Sequence, residues 1–242
     1  KHGSNAFVRN LLEALVEIYE LPEKTITREN VHALDAEIRR RHHDPDWVPR
    51  LLRKAGIEAV VTDPFSDPLL DVTESLGAHY TSVMRINAFA VAWHPESRDH
   101  NGNSAFDFAE RLGASVDTFD NYLDFLEQVV DTMHNRHHVA LKNALAYDRG
   151  LDFDPPDEKL ARSAWGNPNP APAERKAFGD LVVDRFCRLA GEKEIPVQVH
   201  TGSGLLQMSQ PMQLAGLVGR HPRTRFLLMH LEANDLPTPD VD

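Results

Sequence analysis

Apolar positions along this chain change from a helical spacing to short strand-like runs near Gly56. Residues 5–20 carry apolar side chains on one predicted helical face, and two further helices are predicted before Gly56. Beyond that glycine, helical stretches alternate with five short runs rich in apolar residues, at residues 57–63, 81–89, 138–147, 195–200 and 224–230. This alternation predicts βαβ units with a parallel sheet, and therefore an α/β fold.

Polar, chemically capable side chains stand in or at the ends of the last four runs, namely Arg85, Lys142, His200 and His230. In parallel α/β folds, ligands bind at the carboxyl ends of the strands, so these side chains are expected near one another. Either histidine alone fits a core residue, a catalytic base or a metal ligand. Because the two lie one βα unit apart, we expect both imidazoles at the same rim.

The composition indicates a small-molecule ligand. The chain has 242 residues, of which 41% are hydrophobic, and this is enough for a sizeable core. Its formal net charge of −11 disfavours nucleic acid, because phosphate binding requires clustered Lys and Arg. No run of about 18 apolar residues occurs, so no membrane partner is expected. The single cysteine, Cys187, fits a reducing compartment, and we expect a cytoplasmic protein, with a homo-oligomer as an open alternative.

Three segments in order carry a family resemblance: "ALKNALAYDRGLDF", "IPVQVHTGSG" and "HPRTRFLLMH". They resemble the amidohydrolase superfamily, and most closely its amidohydrolase-related branch of metal-dependent hydrolases, decarboxylases and uronate-isomerase-like enzymes. The resemblance covers roughly residues 50–230 and implies a (β/α)8 TIM barrel. It implies that residues 1–242 form a single barrel domain, with residues 1–55 a helical excursion between strands 1 and 2. It also implies a divalent metal, most commonly zinc.

The resemblance also implies roles for individual residues. His200 matches the strand-5 histidine and His230 the strand-6 histidine, which makes both expected metal ligands, with His230 alternatively an acid/base beside the metal. Lys142 lies in the strand-4 segment, on the opposite strand face from its two neighbours. It is interpreted either as a carbamate bridging two metals or as an unmodified ammonium that binds a substrate carboxylate, and we slightly favour the ammonium. A purely structural lysine is the third alternative.

Two arginines, Arg85 and Arg149, are candidates for holding a substrate carboxylate with paired hydrogen bonds. A structural ion pair explains either arginine equally well. His94 and His100 follow the second run on the ligand side and are interpreted as loop residues, with catalysis as the alternative. The proline-rich segment 152–172 is interpreted as a loop on the ligand side.

The chain departs from the superfamily pattern at both ends. No HxH pair occurs, so the strand expected to carry two metal ligands is missing. The strand-8 aspartate is missing as well, because Asp235, Asp240 and Asp242 are interpreted as loop carboxylates. We therefore expect an incomplete barrel, or a barrel whose sequence lacks segments.

These inferences predict a metal-dependent hydrolase that acts on an amide or related carbonyl bond of a small molecule carrying a carboxylate. The alternatives are a decarboxylase or a uronate-isomerase-like enzyme on the same site. A degenerate, non-catalytic barrel that binds a small molecule is the alternative from a different class.

Overall fold

The computed structural model describes residues 6–21 and 26–230. Contacts divide the chain into two compact units, residues 1–59 and residues 60–242. The assignment of residues 1–242 to one barrel domain, with residues 1–55 an excursion between strands, stays a prediction.

The first unit contains the three helices that the apolar spacing predicts. They are α1 (Ala6–Tyr19), α2 (Val31–His42) and α3 (Trp47–Lys54). The buried rings of Tyr19 and Trp47 lie 5.6 Å apart between centroids, and the Arg41 guanidinium stacks 4.8 Å from the Trp47 ring. These contacts give the unit a small aromatic core of its own.

The second unit is built on a five-stranded parallel sheet with the order β1-β2-β3-β4-β5. Its strands are β1 (Val60–Thr62), β2 (Tyr80–Arg85), β3 (His138–Asn143), β4 (Val197–His200) and β5 (Phe226–Met229). Its helices are α4 (Val72–Leu76), α5 (Asn87–Ala90), α6 (Ala105–Arg111), α7 (Phe119–Thr132), α8 (Glu158–Ala164), α9 (Pro172–Glu192) and α10 (Ala215–Arg220). Short 3-10 turns occur at His134–Arg136, Leu145–Tyr147, Leu206–Met208 and Pro211–Leu214. The predicted α/β fold with a parallel sheet is confirmed, and the sheet forms part of a barrel.

Two strands end four residues before the ends of the apolar runs that predict them. β2 ends at Arg85 and β3 at Asn143, and a helical turn follows each strand. The Asn143 side chain accepts a hydrogen bond from the Leu145 amide, and the Asn87 side chain accepts one from the Ala144 amide. Because side-chain acceptors of this kind replace the backbone hydrogen bonds of the sheet, the backbone turns although the flanking residues are apolar.

The segment 152–172 also differs from its prediction as a loop, because it contains α8. The Asp157 side chain caps this helix by accepting a hydrogen bond from the Leu160 amide. Two fully buried alanines, Ala161 and Ala164, permit close packing of α8 against α9.

The two faces of the sheet have different chemistry. Met84, Leu141 and Val199 point to one side and belong to a buried apolar cluster with side chains of α7 and α9. Because side chains alternate along a strand, their neighbours Arg85 and Lys142 point to the other side. The helices therefore cover one face and leave the other face to polar groups. Within the part of the chain that the structure describes, no helix is long and apolar enough to cross a membrane.

Candidate active site

A row of polar side chains crosses the face of the sheet opposite the apolar cluster, near its carboxyl edge. The strand register pairs Arg85 with Lys142, and Lys142 with Gln198. We call these three residues the polar row. The Lys142 ammonium donates a hydrogen bond of 3.1 Å to the Gln198 side-chain oxygen. Its orientation agrees with the alternation predicted for β3.

Lys142 is a buried cation, with only 6% of the residue exposed. Burial lowers the pKa of its ammonium, the Arg85 charge lowers it further, and the Asp63 carboxylate acts in the opposite direction. An ammonium has three donors, and the bond to Gln198 uses one of them. The remaining donors can bind an acceptor that a ligand supplies.

Arg85 is already paired with a carboxylate of this chain. Its Nε donates to Asp63 Oδ1 at 3.2 Å, and a terminal amine donates to the other carboxylate oxygen. The paired donors predicted for a substrate are therefore occupied by Asp63, which follows β1. The row therefore carries two cations, Arg85 and Lys142, and the Asp63 carboxylate pairs with the first of them.

His200 and His230 lie together at the same edge. Their ring centroids are 4.9 Å apart and the rings meet edge to face. The Tyr147 hydroxyl is 2.9 Å from His200 Nε2 and 3.3 Å from the Ser203 hydroxyl. His230 has a φ of 64°, a left-handed conformation uncommon outside glycine, and such outliers cluster at functional sites. The predicted proximity of the two imidazoles is confirmed.

The environment of His200 favours a neutral imidazole. Burial, the charges of Lys142 and Arg85, and His230 lower the pKa of His200 to about 4. A neutral imidazole has a free lone pair and is a good ligand for zinc and similar cations. His200 is therefore in the protonation state that metal binding requires at neutral pH.

The two imidazoles fit part of a metal site. Zinc sites use at least three protein ligands. Among residues 6–21 and 26–230, no three His, Cys, Asp or Glu side chains come together as a metal site. Asp235, Asp240 and Asp242 lie outside the described residues. His200 and His230 thus supply suitable nitrogen donors for a partial ligand set.

Arg149 does not join the polar row. Its guanidinium forms an ion pair with Asp180 at 2.7 Å, donates a 2.7 Å hydrogen bond to the Asp152 carbonyl and stacks 4.9 Å from the Phe153 ring. A β-carbon at Gly179 would lie 2.7 Å from the guanidinium, which shows how closely α9 approaches it. Arg149 lines a separate cavity of 390 Å³, and a structural ion pair accounts for its contacts. Of the two candidate arginines, Arg85 is thus the one that lies beside Lys142.

His100, a predicted loop residue, lies in a cluster of hydrogen-bonded side chains. The Asp148 carboxylate accepts bonds of 2.7 Å from the His100 amide and 2.9 Å from His100 Nδ1. It also accepts a 2.5 Å bond from the buried Asn87 amide. The His100 ring stacks on Tyr147 with 5.0 Å between centroids. The available sequence signal was that Asn87 and Asp148 both follow strands and so share the carboxyl edge.

A family model described as Amidohydrolase matches residues 159–240, about a third of the chain. A search of curated proteins found no match. Among solved structures, a uronate isomerase from Thermotoga maritima matches 94% of this chain at 16% identity, with a TM-score of 0.67. A glucuronate isomerase from Caulobacter crescentus matches 94% at 18% identity, with a TM-score of 0.68.

The same search found a candidate metal-dependent hydrolase from Lactobacillus casei ATCC 334, which matches 66% of this chain at 15% identity with a TM-score of 0.49. This chain spans 55% and 52% of the lengths of the two isomerases, and 40% of the length of the Lactobacillus protein. The isomerase matches show a shared fold. They agree with a barrel of which this chain forms a part.

Proposed function

Because a family model described as Amidohydrolase matches residues 159–240 and the fold is shared with two isomerases of sugar acids, we propose that this chain is a metal-dependent enzyme of the amidohydrolase superfamily acting on a small molecule that carries a carboxylate. The observation that carries the carboxylate preference is the buried Lys142 ammonium, which has donors left beyond its bond to Gln198. We propose hydrolysis of an amide or related carbonyl bond as the reaction.

Each residue of the site has a proposed role that follows from its position. His200 and His230 would hold a divalent cation, of which zinc is our choice, and such a cation polarises a bound carbonyl and lowers the pKa of bound water. Lys142 binds the substrate carboxylate with a charge-assisted hydrogen bond. The Asp63–Arg85 pair keeps its own charge balanced beside that lysine. Tyr147 fixes the His200 ring through its hydrogen bond to Nε2.

We propose that Lys142 stays unmodified. The Gln198 side-chain oxygen accepts a hydrogen bond from the Lys142 ammonium. A carbamate oxygen at the same position would be an acceptor facing another acceptor, unless the Gln198 amide group rotated to present its NH2. The positive charge also explains how the row recognises an anion. A carbamate remains the alternative and predicts loss of metal when the lysine is removed.

The second candidate reaction is the isomerisation of a uronate. It is favoured by the fold match over 94% of this chain to proteins titled uronate and glucuronate isomerase. A uronate also carries the carboxylate that the Lys142 ammonium would bind. Decarboxylation of a carboxylate on the same site is a third alternative.

One experiment compares these readings directly. The protein is reconstituted with zinc or manganese and incubated with N-acetylglycine or D-glucuronate, and the products are followed by proton NMR. Release of acetate supports hydrolysis, and formation of the keto sugar supports isomerisation. Binding of both compounds by calorimetry without turnover of either would indicate the non-catalytic barrel. Failure to bind either compound would overturn the proposed carboxylate preference.

A further inference from the structure

Asp148 and His100 form a carboxylate–imidazole dyad at the carboxyl edge of the sheet. The Asp148 side chain is 8% exposed and accepts hydrogen bonds from Asn87, from the His100 amide and from His100 Nδ1. Asn87 is itself anchored, because its side-chain oxygen accepts a bond from the Ala144 amide. The carboxylate, which follows β3, is thus held by groups that follow the neighbouring strand β2.

These bonds assign the proton on the His100 ring. A carboxylate accepts from Nδ1, so Nδ1 carries the hydrogen and Nε2 carries the lone pair. The Asn101 side-chain amide lies 3.0 Å from Nε2 and is placed to donate to that lone pair. The His100 side chain is 27% exposed, so a ligand can take the place of Asn101. A buried carboxylate behind an accessible imidazole is a common arrangement for acid–base catalysis.

The dyad is continuous with the candidate active site. The Tyr147 ring stacks on His100 at 5.0 Å on one side and lies 4.7 Å from the His200 ring on the other, as measured between centroids. The Tyr147 hydroxyl bonds to His200, which links the stack to the histidine pair. His100 therefore lies one aromatic ring away from the proposed metal ligands.

We propose that His100 is a catalytic acid/base of this site and that Asp148 is its positioning residue. His100 Nε2 accepts a proton from a substrate hydroxyl or attacking water: the N–H bond forms as the O–H bond breaks, and the electron pair stays on oxygen. The imidazolium, stabilised by Asp148, then returns the proton to the leaving nitrogen or to the neighbouring oxygen. The inference rests on the proposed function for the identity of the proton donor.

The chain offers a matched control for this dyad. His137 Nδ1 also bonds to an aspartate, Asp71, at 3.0 Å, but it precedes β3 and so lies at the opposite edge of the sheet. His100→Gln should lower kcat by about 10²–10⁴-fold, with KM, metal content and melting temperature little changed. His137→Gln should leave kcat unchanged. A His100→Gln variant with the same kcat as the unaltered protein would overturn the proposal.

The positioning role has its own readout. Asp148→Asn presents an amide that can donate to Nδ1, so the His100 proton should move to Nε2 and kcat should fall while KM is retained. Nitrogen-15 NMR of the histidine side chains reports this change of tautomer. An unchanged tautomer in a folded Asp148→Asn protein would remove Asp148 from the positioning role.

A third measurement does not depend on turnover. Diethyl pyrocarbonate acylates neutral imidazole, and mass spectrometry locates the modified histidines. His137, whose side chain is 57% exposed, serves as the internal reference, and we expect D-glucuronate or N-acetylglycine to slow the reaction at His100 and to leave the rate at His137 unchanged. If the protein turns over neither compound but either compound protects His100, the proposed reaction is wrong, and the inference that His100 is an accessible base facing the ligand still holds. A reaction at His100 that neither compound slows would overturn the proposed role of His100 as a base.

Discussion

Replacing Lys142 with methionine should weaken carboxylate binding and leave the fold intact. Methionine fills a similar volume but removes the ammonium, its bond to Gln198 and the cost of keeping a charge buried. The Arg85–Asp63 pair keeps its partner in this variant. The melting temperature should therefore stay the same or rise slightly, because a buried cation without a carboxylate of its own contributes little net stability.

The size of the binding effect follows from the lost contact. A hydrogen bond to a charged group contributes about 1.5–3 kcal/mol, and about 1.4 kcal/mol corresponds to a tenfold change in affinity. Lys142→Met should therefore raise the dissociation constant for N-acetylglycine or D-glucuronate by about 10- to 100-fold. Isothermal titration of the metal-loaded protein measures this change. The matched control is Lys159→Met, which removes an exposed lysine on α8 and should leave the affinity unchanged.

Two outcomes would contradict this reasoning. An unaltered dissociation constant in a folded Lys142→Met protein would mean that the ammonium does not bind the carboxylate. An equal loss for the neutral sugar D-glucose would mean that the substitution changes the shape of the site and not its charge. Loss of metal that added short carboxylic acids restore would instead support the carbamate.

Three further predictions concern other parts of the molecule. His200→Ala should lose most bound zinc while the fold is retained, as measured by elemental analysis, and full metal occupancy would exclude His200 as a ligand. Burial lowers the pKa of His138 to about 4, below its unfolded value of about 6.5, so the stability that comes from its neutral form is present above pH 6.5 and is lost as pH falls towards 4. The free energy of unfolding, measured with urea, should be about 2 kcal/mol lower at pH 4.5 than at pH 7 because of this group. His138→Asn should reduce this difference, and an equal difference in the variant and the unaltered protein would refute the prediction. Asp180, 2% exposed, holds Arg149 and Lys176, so Asp180→Asn should cost about 3–5 kcal/mol of stability without changing carboxylate affinity.

The strands and the histidine pair were predictable because each depends on local sequence. Apolar runs located all five strands, and parallel connections place every strand end on one edge. His200 and His230 therefore meet once each is assigned to the end of a strand. The orientation of Lys142 follows from alternation within β3 alone.

The remaining parts of the site depend on contacts between distant loops. Arg149 carries no local mark that its partner is Asp180, which lies on the buried face of α9. His100 meets Asp148 across 48 positions through segments without a periodic pattern. A polar residue in such a loop looks the same whether it contacts solvent or a buried carboxylate. For this reason the sequence alone left the roles of the candidate arginines and of the loop histidines open.

The charge distribution is compatible with the proposal that this acidic chain binds an anion. The formal net charge of −11 repels carboxylates at a distance, but salt screens such repulsion beyond about 10 Å at 0.1 M. Lys142 acts at contact, where burial removes competing water and strengthens the attraction. Asp63 neutralises Arg85 and leaves the lysine as the cation available to a ligand. Under the proposed function, recognition would therefore depend on one buried ammonium at the strand ends, and the overall charge of the protein would have little influence on it.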